Sequence, residues 1–213
     1  MTQAQINFIQ AVANAVNKYR AQYKIAVSSP IIAQAIIESN WGKSVLSVKY
    51  HNYFGLKCGS FWTGKSVNLS TKEEYSKGTL TNIKANFRVY DSFEDGIKGY
   101  FDFINTSRYA NLKGVTDPRK YCETIKADEY STSSTYVNTL MNTIKSYDLT
   151  KFDVAQPVSA QKPTPCIDDV ARQVIAGKYG NGSARRDAIE KMGYDYTQVQ
   201  RRVNELIRQG VRV

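Results

Sequence analysis

One histidine, His51, stands in 213 residues, which excludes a site built from several histidines around zinc and leaves any Ser-His-acid triad dependent on one residue. Cysteine is scarce as well. Cys58, Cys122 and Cys166 are odd in number and widely spaced, so they suit neither a full disulfide framework nor a paired metal site, and reduced thiols are expected. No apolar run approaches the ~20 residues of a membrane-spanning helix. The start, Met1-Thr2-Gln3-Ala4-Gln5, has no basic residues ahead of a hydrophobic stretch, so no secretory signal is expected. There is no glycine-rich phosphate loop and no carboxylate-rich cation loop, and neither a cofactor nor a metal is expected.

Positive charge, by contrast, is in excess. Lys and Arg number 29 against 19 Asp and Glu, a formal net charge of +10 with a pI near 9.4. Such a balance calls for an acidic partner: nucleic acid, an anionic membrane or an anionic polymer such as a bacterial wall. The positives are scattered, with no basic helical stripe and no nucleic-acid motif, so nucleic acid is not the expected partner, nor is membrane insertion expected.

Periodicity divides the chain into two unequal parts. Thr2 and Gln5 form a capping-box pair ahead of Phe8, Val12, Ala15, Val16 and Tyr19, an amphipathic helical pattern. The segments Asn52 to Lys57 and Phe61 to Tyr90 lose that period. Thr79 to Tyr90 alternates through Leu80, Ile83, Phe87 and Val89 after the turn residues Lys77-Gly78, which predicts a β-hairpin or a three-stranded sheet. Helices resume at the capping box Ser92-Phe93-Glu94-Asp95, at Asp117-Pro118, and over Tyr136 to Tyr147. Lys151 to Pro165 holds three of the five prolines and reads as a semi-extended linker. Beyond it, three short helical patterns end at Gly177, Gly193 and Gly210, with Asp195 and Gln198 in capping register before the last. The expected fold is α+β: a mostly helical domain over residues 1–150 with a small antiparallel β lobe, a linker over 151–165, and a three-helix module over 166–213. Residues 1–162 hold 20 basic and 13 acidic side chains (+7) and residues 163–213 hold 9 and 6 (+3), so both parts are basic.

One carboxylate is out of place. Glu38 sits near the end of Ser29-Pro30-Ile31-Ile32-Ala33-Gln34-Ala35-Ile36-Ile37-Glu38-Ser39-Asn40-Trp41-Gly42, an almost uncharged helical segment. Ser29 suits the N-cap, Pro30 the first helical position and Gly42 a left-handed stop. The positions three, four and seven residues before Glu38 are Ala35, Gln34 and Ile31, so its face is apolar or neutral. Burial and the negative end of the helix dipole both disfavour the anion and push the pKa up. A carboxylic acid protonated near neutral pH is what a general acid for glycosidic cleavage requires.

The stretch Ala35-Ile36-Ile37-Glu38-Ser39-Asn40-Trp41-Gly42, followed by His51-Asn52-Tyr53-Phe54-Gly55-Leu56-Lys57, resembles glycoside hydrolase family 73, the bacterial and phage endo-β-N-acetylglucosaminidases. Further matches follow in order: Glu74-Tyr75 with Gly78, Phe87-Arg88-Val89-Tyr90, Arg108-Tyr109-Ala110, Tyr130-Ser131-Thr132 and Tyr136-Val137. The resemblance covers about the first 150 residues. It implies a lysozyme-like domain that hydrolyses the β-1,4 bond between N-acetylglucosamine and N-acetylmuramic acid in peptidoglycan. Glu38 matches the general acid and Glu74 the family's Glu-Tyr pattern; Glu73 is adjacent, and strand neighbours point to opposite faces, so one of the two can face Glu38. Tyr130 matches a tyrosine close to the reacting sugar. Trp62, Tyr53 and Tyr136 are candidates to hold sugar rings, which stack on flat side chains. Asn52 is a substrate-contact candidate that, with His51, also reads as a loop-fixing pair.

The C-terminal segment resembles the CW_7 cell-wall-binding repeat. Its opening runs from Ile167 through Asp168, Arg172, Tyr179 and Asn181 to Gly182, and it closes on Tyr194-Asp195-Tyr196 and Val199 to Asn204. Asp168, Arg172, Tyr179, Asn181 and Arg185 offer polar and aromatic groups for a muropeptide. Together the two parts imply a phage or prophage endolysin, made in the host bacterial cytoplasm and released to the wall. A lytic transglycosylase on the same polymer, or a non-catalytic wall-binding protein, is the alternative.

Overall fold

The computed structural model describes residues 1–60, 62–76, 79–153, 167–208 and 210, with 72–82 described by backbone alone. The predicted Lys77-Gly78 turn, the bulk of the predicted linker and Cys166 lie outside the described residues. In chain order the elements are α1 (Gln3–Arg20), α2 (Ser29–Ser39), α3 (Val45–Tyr50), β1 (Ser66–Ser76), β2 (Thr79–Arg88), α4 (Phe93–Ile104), a 3₁₀ turn (Ser107–Leu112), α5 (Pro118–Ala127), α6 (Tyr136–Ser146), a second 3₁₀ turn (Leu149–Phe152), α7 (Ile167–Ile175), α8 (Gly182–Lys191) and α9 (Tyr196–Arg208). The chain forms two compact units, a larger one over Val12–Ala160 and a smaller one made of Met1–Ala11 with Gln161–Val213.

The helix starts follow the side-chain chemistry of their first residues. Thr2 and Gln5 form the reciprocal pair at α1, with Gln5 Oε1 accepting from Thr2 N at 2.9 Å. Ser92 Oγ accepts from Asp95 N at 3.0 Å to open α4, Asp117 accepts from Lys120 N at 2.7 Å to open α5, and Asp195 accepts from Gln198 N at 2.9 Å to open α9. Each removes one of the backbone donors that a helix start leaves unpaired. The six-residue α3 has no counterpart in the sequence reading: it is too short to display an apolar period, although Ser44 caps it from Ser47 N at 3.1 Å.

The β lobe is a two-stranded antiparallel hairpin. Its register runs from Ser66 opposite Arg88 to Glu74 opposite Leu80, with a shift between Glu74 and Ser76. Lys57 adds an isolated bridge to Phe87. Between this lobe and the helices runs the loop Asn52–Leu56, and α4 lies close against its start. A Cβ on Gly96 would stand 1.9 Å from the His51 carbonyl oxygen, so that approach requires glycine.

Helix α2 is the centre of the larger unit. Ile31, Ile32, Ala33, Gln34 and Ala35 are fully buried, and α2 packs against α5, α6 and the second 3₁₀ turn. Both ends depart from the sequence reading. At the N-terminus the N-cap is Ser28, not Ser29, and its own side chain makes no cap bond. The cap comes from Asp153, far along the chain: Oδ1 accepts from Ser28 N at 2.7 Å and Ser29 N at 2.6 Å, and Oδ2 accepts from Ser29 Oγ at 2.7 Å. A carboxylate there also meets the positive end of the helix dipole. The larger unit therefore runs past Thr150. At the C-terminus the helix stops at Asn40, two residues before Gly42, in a left-handed conformation (φ 48°).

Asp153→Ala should lower stability by about 2 kcal/mol, the sum of a lost cap and backbone donors left unpaired beside buried serines. A chain ending at Thr150 should show the same loss and one ending at Ala160 should not; thermal melts of the three check it.

The smaller unit buries Val170, Ala171, Val174, Ile189, Val199, Val203 and Leu206, with Tyr179, Met192, Tyr194 and Tyr196 packed around them. Helices α7, α8 and α9 stop at Ile175, Lys191 and Arg208, each two residues before Gly177, Gly193 or Gly210, where the sequence put the helix ends, and all three glycines have positive φ. Among the described residues no helix is long and apolar enough to cross a membrane.

Candidate active site

Glu38 emerges from the last turn of α2, half-buried, beside fully buried neighbours on its own helix. The carboxylate is met from α6: Tyr136 Oη donates to Glu38 Oε1 at 3.1 Å. That hydrogen bond favours the anion and so opposes burial and the helix dipole, which favour the acid. On its other side passes the Asn52–Leu56 loop, where a Cβ on Gly55 (φ +64°) would lie 3.6 Å from Glu38 Oε2.

Tyr130 completes this cluster. Its ring stacks on Tyr136 with centroids 6.1 Å apart and planes 21° from parallel, and its hydroxyl donates to the Phe54 carbonyl at 2.8 Å. Burial, with Glu38 nearby as the next cause, pushes the hydroxyls of Tyr130 and Tyr136 well above the ordinary tyrosine range. Both rings carry their protons at any working pH of a hydrolase.

From Tyr130 a row of flat groups leads outward. Phe103 meets Tyr130 edge-on at 6.0 Å, the Arg88 guanidinium lies 5.1 Å from the Phe103 ring centre and 4.7 Å from that of Trp62, and Trp62 Nε1 donates to the Lys65 carbonyl at 2.9 Å. Planar guanidinium and aromatic faces stack favourably. Glu38, Tyr130 and Trp62 therefore belong to one connected surface, with Arg88 and Phe103 as members that the sequence reading did not single out as sugar contacts. Tyr136, 4% exposed, is corrected from sugar contact to buried support of Glu38, because its ring is covered and its hydroxyl is engaged by Glu38 and Gln34.

Tyr53 is turned elsewhere, packed edge-on against Phe93 of α4 at 5.1 Å. Asn52 is 1% exposed and committed to backbone: its amide donates to the Leu56 and Arg88 carbonyls, both at 2.9 Å, and its carbonyl accepts from Leu56 N at 2.9 Å. Asn52 is thus corrected from substrate contact to loop brace, because none of its polar atoms is left to face a sugar. His51 beside it is also buried, at the left-handed end of α3. Glu74 stands in β1 at the register shift, and the side chains of Glu73 and Glu74 lie outside the described residues.

Behind Glu38 lies a buried polar string for which the sequence offered a single hint, Gln34 at one helical turn before Glu38. Gln34 Nε2 donates to Tyr136 Oη at 3.0 Å, Gln34 Oε1 accepts from Tyr100 Oη at 2.6 Å, and the Tyr100 and Tyr121 hydroxyls are 2.9 Å apart. Polar groups so deep are retained only when paired.

In the smaller unit Asp168 is 7% exposed and lies between two arginines. Its Oδ1 pairs with Arg202 Nε and its Oδ2 with Arg172 Nε at 3.2 Å. Asp168 is corrected from wall contact to core ion pair, since its oxygens are engaged inside the module. Tyr179 donates to Gln173 Oε1 at 2.5 Å, and Arg185 donates to the Gly180 carbonyl at 2.9 Å and to Asn181 Oδ1 at 2.6 Å at the exposed start of α8. Cys58 and Cys122 are free thiols, and burial pushes the Cys122 thiol up to about 12. No cluster of metal-ligating side chains occurs among the described residues.

A half-buried acid at the end of an apolar helix, aromatic rows beside it and a small hairpin in a mostly helical domain define a lysozyme-like glycoside hydrolase. The profile of the glucosaminidase family, described as mannosyl-glycoprotein endo-β-N-acetylglucosaminidase, matches residues 13–149. The chain belongs to that family, glycoside hydrolase family 73, and residues 168–207 match the CW_7 repeat. Relatives include the peptidoglycan hydrolase FlgJ of Pseudomonas aeruginosa, 35% identical over 50% of this chain and 28% of that protein. They also include the exo-glucosaminidase LytG of Bacillus subtilis, 30% identical over 59% of this chain and 46% of that protein. A Lactococcus lactis protein named "Probable N-acetylmuramidase" is 35% identical over 72% of this chain and 35% of its own length. The chain thus spans less than half the length of these relatives. Among solved structures, a peptidoglycan hydrolase mutant from Sphingomonas sp. A1 superposes with a TM-score of 0.58 at 31% identity, covering 68% of this chain and 96% of that one. The catalytic domain of the autolysin Auto from Listeria monocytogenes gives 0.58 at 29% identity, covering 71% and 89%.

Proposed function

We propose that this chain hydrolyses the β-1,4 bond between N-acetylglucosamine and N-acetylmuramic acid in peptidoglycan, with Glu38 as the general acid. The observation that carries the reading is the setting of Glu38: half-buried at the end of α2, held by Tyr136 and opening beside the Tyr130 and Trp62 row. In the forward step the Glu38 proton passes to the glycosidic oxygen as the C1–O bond breaks, and the leaving sugar departs as an alcohol. Water adds to C1 and gives up its proton to a second carboxylate, for which Glu74 is the candidate; its support is the place in β1 beside a register shift, a device that re-aims side chains near active sites. Rings of the glycan would stack along Tyr130 and Trp62.

The C-terminal module fits a wall-tethering role. Its muropeptide contacts would come from Arg172, Asn181 and Arg185, the predicted residues that keep polar groups at the surface. The finer form of the reading is a phage or prophage endolysin held in the host cytoplasm until lysis. Its support is the pairing of a glucosaminidase domain with a wall-binding repeat, and a fluorescent fusion reaching the wall during normal growth would sink it.

Digestion of purified peptidoglycan, borohydride reduction and mass spectrometry test the bond. Reduced N-acetylglucosamine ends are expected. Reduced N-acetylmuramic acid ends would move the cut to the other linkage, the one named for the Lactococcus relative, and 1,6-anhydromuramic products would make the enzyme a lytic transglycosylase.

A further inference from the structure

We infer that Gln34 is a positioning residue that sets the direction of the hydrogen bonds behind Glu38, so that Tyr136 always donates to Oε1 and the transferable proton resides on Oε2. This rests on the general-acid reading of Glu38 but concerns a different question, namely which oxygen of the acid is armed.

The direction follows from counting hydrogens. Tyr121, Tyr100 and Gln34 are fully buried and Tyr136 is 4% exposed, so water does not complete their bonding. Burial pushes the tyrosine hydroxyls Tyr100, Tyr121 and Tyr136 well up, so each carries one hydrogen that must find an acceptor. The string can run in two directions. In one, Tyr121 donates to Tyr100, Tyr100 to Gln34 Oε1, Gln34 Nε2 to Tyr136, and Tyr136 to Glu38; every hydroxyl hydrogen has an acceptor. In the other, the amide is reversed, Tyr100 donates to Tyr121, and the Tyr121 hydrogen is left without an acceptor among the described residues. Burying one unpaired hydroxyl hydrogen is unfavourable enough to select the first direction.

The amide is the part that transmits this choice. A side chain with a donor at one end and an acceptor at the other cannot satisfy Tyr100 and Tyr136 in both orders, so the state of Tyr121, deep in α5, reaches Glu38. With Oε1 accepting from Tyr136, the acid proton is confined to Oε2, on the side of the Gly55 loop. Among the described residues, Tyr136 from α6 and Tyr130 from the segment after α5 face Glu38. Tyr100 of α4 and Tyr121 of α5 stand behind Gln34, and all four remain neutral hydroxyls.

The test compares the full-length protein with Gln34→Met, Gln34→Glu and Tyr100→Phe. Two readouts are the titration midpoint of the Glu38 carboxyl by carboxyl ¹³C NMR and the alkaline limb of kcat against pH on soluble peptidoglycan fragments. In Gln34→Met the Tyr136 hydroxyl loses the donor that polarises it and gives a weaker hydrogen bond to the Glu38 anion, so the midpoint should rise by roughly a few tenths of a unit and the alkaline limb should follow it. Tyr100→Phe, which deletes one oxygen and keeps the ring, should shift both the same way and by less. Gln34→Glu serves as the rescue: protonated, it accepts from Tyr100 and donates to Tyr136 as the amide does, and ionised it takes the Tyr136 hydrogen and drives the Glu38 midpoint up. Mere loosening of the core would admit water and lower the midpoint toward that of a solvated glutamate. A midpoint unchanged or lowered in Tyr100→Phe and in folded Gln34→Met, or a midpoint lowered in Gln34→Glu, overturns the inference. If Gln34→Met does not fold, Tyr100→Phe decides alone. The NMR midpoint needs no turnover, so a wild type without hydrolytic activity would count against the proposed reaction and leave the polarity test standing.

Discussion

Glu38→Gln is expected to lower the rate of glycan-strand cleavage by at least about a hundredfold and to leave the melting temperature unchanged. Both halves follow from the geometry. The amide has the shape of the carboxylic acid, and its oxygen can still accept from Tyr136 at the 3.1 Å position, so the hydrogen-bond string and the apolar packing of α2 survive. What is lost is the transferable proton, and positioned proton donors contribute roughly 10²–10⁴ to such reactions. Because the substitution leaves the aromatic row of Tyr130 and Trp62 intact, KM should stay within about threefold while kcat carries the loss. A reducing-end assay on purified walls, run beside a thermal melt, measures both. A folded variant retaining a third of the wild-type kcat would remove Glu38 from the reaction, and equal background activity in the two proteins would favour a wall-binding protein without catalysis.

Asp168→Ala is expected to unfold the C-terminal module. Asp168 and Arg202 are each 7% exposed, and the aspartate meets both Arg202 and Arg172. Removing Asp168 leaves the buried Arg202 guanidinium with Glu205, 3.2 Å away, but without its closest carboxylate, and breaking a buried pair costs up to about 3–5 kcal/mol. A three-helix module near 45 residues has a reserve of the same size, so the loss should exceed it. Limited proteolysis of the full chain should then cut within residues 167–208 while the larger unit stays resistant, and wall pull-down should fail with it. Asn181→Ala, at the exposed start of α8, should leave the proteolysis pattern unchanged and weaken pull-down alone. If Asp168→Ala resists protease like wild type yet loses wall binding, Asp168 is a ligand contact after all.

These two expectations divide differently between sequence and structure. Glu38 was legible because its neighbours were the wrong chemistry for a solvated acid, and helix periodicity is a local property. The helix starts at Thr2, Ser92, Asp117 and Asp195 were legible for the same reason: a cap is made within three or four residues. Asp168 was misread from local pattern, since an acid in the first turn of a helix looks like a surface group until Arg202, 34 residues on, arrives beside it. Asn52 was half-read: it braces the loop, as one of its two readings had it, but its amide partners on Leu56 and Arg88 depend on where β2 comes to lie.

The sequence by itself determined the fold class, the misplaced acid and the family, because periodicity, capping and ordered motifs are carried by near neighbours. Tertiary structure alone decided that Asp153 caps the helix bearing Glu38, that Asp168 belongs to a core, and that Tyr121, Tyr100, Gln34 and Tyr136 line up behind the acid. Those arrangements join residues 21 to 125 positions apart, and hydrogen bonds over such separations exist only once the helices have packed and excluded water from between them.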